Sequence, residues 1–409
     1  MTVWDDLTGQ PAAIEVFRAA AESSTLPSSA AAREALAATD AAPTAPDSMT
    51  HSWLITGPPG SGRSNLAYAF ASALLCRNGG CGVCSDCRQV AARTHPDLAI
   101  LATDRVIISI DEVRRLVSAS QFSPSVARYR VVVIEDADRM AERTSNVLLK
   151  ALEEPPERTV WILCAPSEAD LLPTIRSRVR SVRLRVPSTD DVAALIMKRD
   201  GVDHALAERA ARESQSHIGM AHRLATNDEA RARRAETIEL ALSVSSVGDA
   251  VRGAARLLDI AGADAQAITE ERDAEERAAA LRSLGVEPGQ AIPPGLRSQI
   301  KALEDDQKRR ATRSLRDGID RILTDLLSLF RDIVLVQLGA RVELVNEAIA
   351  ADVRRAAENN DSSSTLAAMD AIADARRRIA ANVAPALALE AMLVTVAEAG
   401  RSASRKVPQ

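Results

Sequence analysis

The chain has 409 residues, 51 basic and 56 acidic side chains, a formal net charge of −5 and only 2% aromatic residues. Its length suits two or three domains, each with its own core, and its acidic balance excludes a broad basic face for nucleic acid, so any such contact is local or shared. With so few aromatics, Ala, Leu, Val and Ile must fill the interior, a composition that leans towards helix.

The opening "MTVWDDLTGQ" has neither the basic start nor the apolar stretch of a signal peptide. No run approaches the ~18 apolar residues of a membrane span. A soluble, cytoplasmic chain without membrane contact is expected. Residues 4–22 set Ile14 and Phe17 on one expected helix, after a glycine-containing turn. Residues 23–50, mostly Ala, Ser, Pro and Thr, read as a flexible surface insertion with room for one short helix.

"SWLIT" then reads as a buried strand, followed by "GPPGSGRS" and a helix to about Leu75. A glycine-rich turn between strand and helix presents backbone N–H groups to phosphate, reinforced by the helix N-terminus. Gly57, Gly60 and Gly62 supply that turn, and Ser64 is placed to bind a metal ion. The pattern G-x-x-x-x-G-K-[ST] requires a lysine, where this chain has Arg63. Arginine is a larger planar fork and does not replace a compact ammonium.

Cys76, Cys81, Cys84 and Cys87 follow, spaced C-x4-C-x2-C-x2-C among Gly79, Gly80 and Gly82. Four thiolates at this spacing can close a tetrahedral zinc site with no open position, which makes it structural rather than catalytic. Buried or redox thiols are the alternative, but four clustered cysteines in a cytosolic chain favour the metal. Cys164, in the strand "TVWILCA", belongs to the core.

"DLAIL" (97–101) is a second strand, and "SIDEVRRLVSASQF" (109–122) opens with Ser109 and Glu112 at capping-box spacing for a helix. "RVVVIEDADRM" (130–140) is a buried strand ending in Glu135-Asp136. An active ATPase commonly carries Asp-Glu there, one acid for the metal and one for water, so the reversed order moves each carboxylate by one methylene. Acids at a strand end also serve simply as solvated or capping groups. The two substitutions, Arg63 and Glu135-Asp136, favour that plainer role over hydrolysis. "TSNVLLKALEEPP" (144–156) is a helix halted by two prolines, and residues 159–165 and 181–186 complete the strands. Strands alternating with helices predict an α/β domain, a parallel sheet covered on both faces.

Beyond Pro187 the strand signals stop. Residues 188–227 read as three short helices, and residues 228–409 as almost wholly helical. Residues 303–339 form a long amphipathic helix, 285–295 a loop, and the mixed-charge stretch 269–314 a solvated helix face.

"WDDLTGQ", "GPPGSGRS", the cysteine cluster with "THPDL", "SIDEVR", "NVLLKALEEPP" and "TIRSRVRSVRL" together resemble the AAA+ clamp-loader subunits of bacterial DNA polymerase III. The motifs carry the resemblance over residues 4–186. It is modest over 187–227 and rests on helical character and length beyond. The resemblance implies a RecA-type AAA+ domain with a zinc module (1–186), a small helical lid (187–227) and an all-α collar (228–409) that assembles a five-subunit ring. It further implies gamma/tau and delta subunits as neighbours, and a sliding clamp loaded on primed DNA through the complex.

Within that family the chain looks most like the stationary subunits that do not turn over ATP. Besides Arg63 and Glu135-Asp136, Pro166 falls where active members carry a polar γ-phosphate sensor. The family's "SRC" motif appears as Ser177-Arg178-Val179, which makes Arg178 the expected arginine finger acting on a neighbour's nucleotide. Arg223 in "GMAHRLA" falls at the lid's second sensor. The first two cysteines stand closer together than is usual in the family. Without the family pattern, Arg176, Arg178, Arg180, Arg183 and Arg185 would read as one solvated basic run. The enzyme alternative is a gamma/tau-like motor or a variant that clamps phosphate with Arg63. A zinc-dependent nucleic-acid-binding regulator fits the cysteines but not the acidic charge.

Overall fold

A computed structural model of the chain describes residues 2–5, 7–25, 49–103, 107–283 and 297–404. It divides into two compact units, Met1–Ala225 and Thr226–Gln409. Five strands form the centre of the first: β1 (Ser52–Thr56), β2 (Leu98–Leu101), β3 (Arg130–Ile134), β4 (Thr159–Ala165) and β5 (Arg180–Arg183). Every pairing is parallel, in the order β2-β3-β4-β1-β5. Strand β1 therefore lies between β4, where Ile55 pairs with Cys164, and β5, where Ile55 pairs with Val182.

Both faces of this sheet are covered, which is why its central strands β1, β3 and β4 read as near-continuous apolar runs. Trp53, Val133 and Ile162 face α1 (Pro11–Thr25) and α2 (Arg63–Leu75). Leu54, Val132 and Trp161 face the opposite side, against α4 (Ile110–Ser120) and α5 (Glu142–Glu153). Between these helices in sequence lies the short α3 (Ser85–Ala91). Helices leaving β1 and β3 thus pack on opposite faces. α/β folds place ligands outside the carboxyl ends of the strands, at such a reversal.

Few aromatic residues are present, and three are concentrated at one point. Phe17 packs on Trp53 at 4.9 Å and on Phe70 at 4.7 Å between ring centroids, and Trp53 meets Phe70 edge-on at 5.5 Å. Helix α1 begins at Pro11, after the expected glycine-containing turn, because Gly9 turns the chain at φ +71° and proline suits a first helical position. Strand β5 ends at Arg183 rather than 186, since the Arg185 N–H turns to the Gln10 side chain at 3.1 Å. Most of the expected insertion, residues 26–48, lies outside the described residues, as does the whole of the expected loop at 285–295.

Three short helices close this unit: α6 (Pro173–Arg176) aside, they are α7 (Thr189–Asp200), α8 (His204–Glu213) and α9 (Ile218–Thr226). Ser188 and Asp191 form a reciprocal cap at the start of α7, and the Asp203 side chain caps α8.

The second unit is helical, with no strand among its described residues: α10 (Asp228–Ser243), α11 (Val247–Ser283), α12 (Arg297–Gln337), α13 (Ala350–Asn359), α14 (Ser362–Ala380) and α15 (Pro385–Ser404). Ile319, Ile322, Leu326, Leu329 and Ile333 make the helical stripe that buries α12. Gly318 lets α12 approach α11 closely, since a Cβ there would lie 3.1 Å from the Ala261 carbonyl oxygen. Past the end of α12 the chain is tied back by the buried Asp332 carboxylate, which accepts from the Asn346 N–H at 2.8 Å and its side-chain amide at 2.9 Å.

The aromatic cluster joins α1 to the sheet, so Phe17→Ala is expected to destabilise the first unit by about 3–5 kcal/mol. Urea denaturation followed by Trp53 fluorescence measures this. Phe122, 68% exposed, is the control, and its replacement by Ala should stay within about 0.5 kcal/mol.

Candidate nucleotide site and metal centre

The loop after β1 is folded as its glycines predict, but the chain's own groups fill its surroundings. Gly57 donates its N–H to the Pro166 carbonyl at 3.2 Å, which ties the loop to the end of β4. The Arg63 guanidinium donates to the Gly57 carbonyl at 2.9 Å and so folds back on the loop. Gly60 takes φ +80°, and a Cβ there would lie 2.3 Å from the His217 ring. Its carbonyl accepts from the Ile218 N–H at 3.2 Å, so the first turn of α9 sits directly on the loop. A cavity of about 10 Å³ remains beside Gly62, lined by Leu7, Thr8, Asn65 and Leu195 among others. That is room for about one water molecule.

Glu135 and Asp136 follow β3 directly. The Glu135 carboxylate accepts from Ser64 Oγ at 2.9 Å and from the Tyr68 hydroxyl, and pairs with Arg93 at 3.4 Å. Burial pushes the Tyr68 phenol well above its ordinary range, and its bond to Glu135 adds to this, so it remains a proton donor. Arg93 lies 4.8 Å over the Tyr68 ring and holds a left-handed backbone, φ +60°. A hydroxyl, a phenol and a guanidinium thus converge on the carboxylate that would face a metal ion. Asp136 pairs with Arg139 at 3.7 Å. Burial pushes the nearby Asp138 carboxyl up, and Asp136 reinforces the shift.

The four clustered cysteines come together around α3. Their sulfurs all lie within 4.8 Å of one another, with Cys76 at 3.8 Å from Cys81 and 3.6 Å from Cys84. A tetrahedral ion with metal–sulfur bonds of ~2.3 Å needs edges of ~3.8 Å, so the cluster can hold a metal ion. Backbone N–H groups already face the sulfurs: Asn78 to Cys76 at 3.3 Å, Gly82 to Cys87 at 3.3 Å and Cys87 to Cys84 at 3.4 Å. Bonds of this kind from Val83 and Cys84 bring the Cys81 thiol down to about 6, while burial pushes Cys87 up. Val3 covers the module, donating its N–H to the Gly80 carbonyl at 3.0 Å. Cys164 is fully buried on β4, apart from this group.

The arginine run separates into distinct roles. Arg180 stacks over Trp53 at 5.0 Å, and Arg185 donates to the Gly9 carbonyl at 2.8 Å. Arg183 is exposed on β5, and Arg176 ends α6. Arg178 follows α6 and pairs with Glu153, the last residue of α5. Its side chain is 31% exposed. Arg223 lies on α9, the helix whose first turn covers Gly60.

Sequence reasoning missed Tyr68, Arg93, His217 and Glu153. Tyr68 falls one helical turn after Ser64, a spacing that puts both on one face of α2 and was a usable signal. Arg93 meets Glu135, and His217 the loop, only through tertiary folding, and they leave no local pattern. Gln10, inside the quoted "WDDLTGQ", bridges the Ser61 and Arg185 carbonyls at 3.4 and 2.7 Å, which gives that motif a physical purpose. The "THPDL" motif gains one as well. Buried Asp97 accepts from the Ser125, Val126 and Ala127 N–H groups at 2.6–2.8 Å.

Residues 40–188 match the family model described as DNA polymerase III, delta subunit. The DNA polymerase III subunit delta' of Pseudomonas aeruginosa is 40% identical over 134 residues, 31% of this chain and 41% of that protein. The gamma/tau subunit of Mycobacterium bovis is 30% identical over 155 residues, 37% of this chain and 27% of that protein. A solved DNA polymerase III gamma subunit-related protein from Thermotoga maritima is 18% identical, covers 86% of this chain and 95% of its own, and has a TM-score of 0.38. The match thus spans less than half the length of each of the first two relatives. No described helix is long and apolar enough to cross a membrane.

Protein purified without chelators is expected to carry about one equivalent of tightly held metal, as four thiolates fill one tetrahedral site. Elemental analysis measures it. Cys84→Ser should release the ion and loosen the segment around α3, and metal content near zero in the parent chain would contradict the assignment.

Proposed function

We propose that the chain is a catalytically silent AAA+ subunit of the delta-prime kind in DNA polymerase III clamp loaders, serving a neighbour's ATP site, a reading supported by the match over residues 40–188 and the 40% identity to a delta' subunit. In this reading it joins gamma/tau and delta subunits in a five-membered ring that loads a sliding clamp on primed DNA. Residues 1–186 act as the nucleotide-binding-like domain, 187–227 as the lid and 228–409 as the collar. The chain works in the cytoplasm, and its metal is a structural zinc held by Cys76, Cys81, Cys84 and Cys87.

The enclosure of Glu135 by Ser64, Tyr68 and Arg93 carries the reading. In a working site, the loop hydroxyl and this acid turn to magnesium, which bridges the phosphates. Here the Arg93 guanidinium already offsets the acid's charge, and magnesium has to compete with Ser64 at one carboxylate oxygen and with Tyr68 and Arg93 at the other. A motor using Arg63 as its phosphate clamp needs that side chain over the loop, whereas its NH1 is bonded to the Gly57 carbonyl. Pro166 offers no side-chain donor for a γ-phosphate. The nucleotide set Gly57, Gly60, Gly62, Arg63, Ser64, Glu135 and Asp136, with Arg223 on the lid, is in this reading a retained scaffold.

Arg178, in contrast, stays accessible on the surface of its unit. A fixed positive charge there can stabilise the charge developing on a phosphoryl group held by an adjoining subunit. Removing such a finger costs on the order of 10³–10⁵ in rate at the site it serves. In the reconstituted complex, Arg178→Ala is expected to leave assembly intact and to lower clamp- and DNA-stimulated ATPase. Total loss is smaller than the single-site figure, because one interface among several is affected. Arg183→Ala, on the exposed face of β5, should do much less. Equal effects of the two would reduce the run to a charged surface.

A further inference from the structure

The Arg178 guanidinium is not a free surface group. Its Nε donates to Glu153 Oε1 at 2.6 Å, and one NH2 hydrogen goes to the same oxygen. Its NH1 donates to the Thr174 carbonyl at 2.6 Å and to Ser177 Oγ at 3.2 Å. These bonds employ four of the five N–H groups of an arginine and come from two separate parts of the chain. Thr174 and Ser177 belong to the turn that carries Arg178 itself, whereas Glu153 is brought from α5. One NH2 hydrogen is left for a group outside the chain.

We infer that Glu153 is a positioning residue for Arg178, holding the Nε edge of the guanidinium so that its remaining N–H meets the neighbour's γ-phosphate. The inference rests on the proposed role of Arg178. A long, flexible side chain that must reach an adjoining subunit gains from being fixed beforehand, since a reacting group misplaced by about 1 Å can lose much of its effect. Glu153 suits the task because its own position is settled. It is the final residue of α5, whose Leu148, Ala151 and Leu152 are buried against the sheet, and Pro155 and Pro156 stop the helix just beyond it. Its side chain is 45% exposed, so solvent screens the pair and the guanidinium keeps its charge available.

The test uses the full reconstituted complex with Glu153→Ala, Glu153→Gln, Arg178→Ala and the Glu153→Ala/Arg178→Ala double variant. Glu153→Ala is expected to slow ATP turnover at the affected interface about threefold, as a fall in kcat with KM for ATP unchanged. Glu153→Gln retains an acceptor at the same reach and should recover part of that loss. The double variant should match Arg178→Ala alone, and the melting curve of the isolated chain should not move in any of them. Unchanged or raised kcat in Glu153→Ala, with Arg178→Ala impaired, would overturn the inference and leave the finger role standing. Full activity in Arg178→Ala would remove the finger role, and the inference with it.

Discussion

Three side chains from two segments converge on the Glu135 carboxylate, and the character of the site follows from that contact. Ser64 and Tyr68 come from the first turns of α2, and Arg93 from the chain just after α3. A carboxylate at the end of a buried strand needs compensation for what it loses in hydration. A metal ion normally supplies that in a nucleotide hydrolase. Here a phenol that stays protonated and a guanidinium supply it instead. The same contact ties α2 and the segment after α3 to the end of β3. In the proposed reading, the contact that silences the chemistry thereby also braces the domain.

The rest of the first unit is braced in a similar way. Gln10 joins the loop to the segment after β5, His217 and Ile218 close over Gly60, and Val3 covers the cysteine module. Each of these ties a segment distant in sequence to the loop or its flank. The surface around α6 and the end of α5 carries Arg178 and Glu153. In the proposed role, the aim of Arg178 towards another subunit depends on how firmly that surface is held.

Much of this was legible in the sequence, for identifiable reasons. The apolar runs of β1, β3 and β4 gave a parallel sheet, since strands buried on both faces cannot alternate. The glycine spacing gave the loop, and the four cysteines gave a cluster that can hold a metal ion. Arg63 and Glu135-Asp136 stood out because they depart from a pattern with fixed chemistry. Arg93 and His217 could not be read, because one reaches Glu135 and the other the loop across the fold, and neither sits in a periodic pattern. Glu153 was hidden differently. It lies within "LEEPP", where the prolines explain a helix end, and nothing local tells which glutamate turns towards Arg178. Helix α1 follows its glycine-containing turn as Ile14 and Phe17 suggest, because Gly9 ends the turn and Pro11 suits a first helical position.

The most direct measurement is calorimetric titration of the isolated, metal-loaded chain with ATP in the presence of magnesium. A site whose acid is enclosed by Ser64, Tyr68 and Arg93, and whose loop lies under His217, should show no saturable binding up to about 1 mM, an affinity no better than about −4 kcal/mol. Saturable, magnesium-dependent binding in the micromolar range would contradict it, because Glu135 and Ser64 would then be free to take the metal.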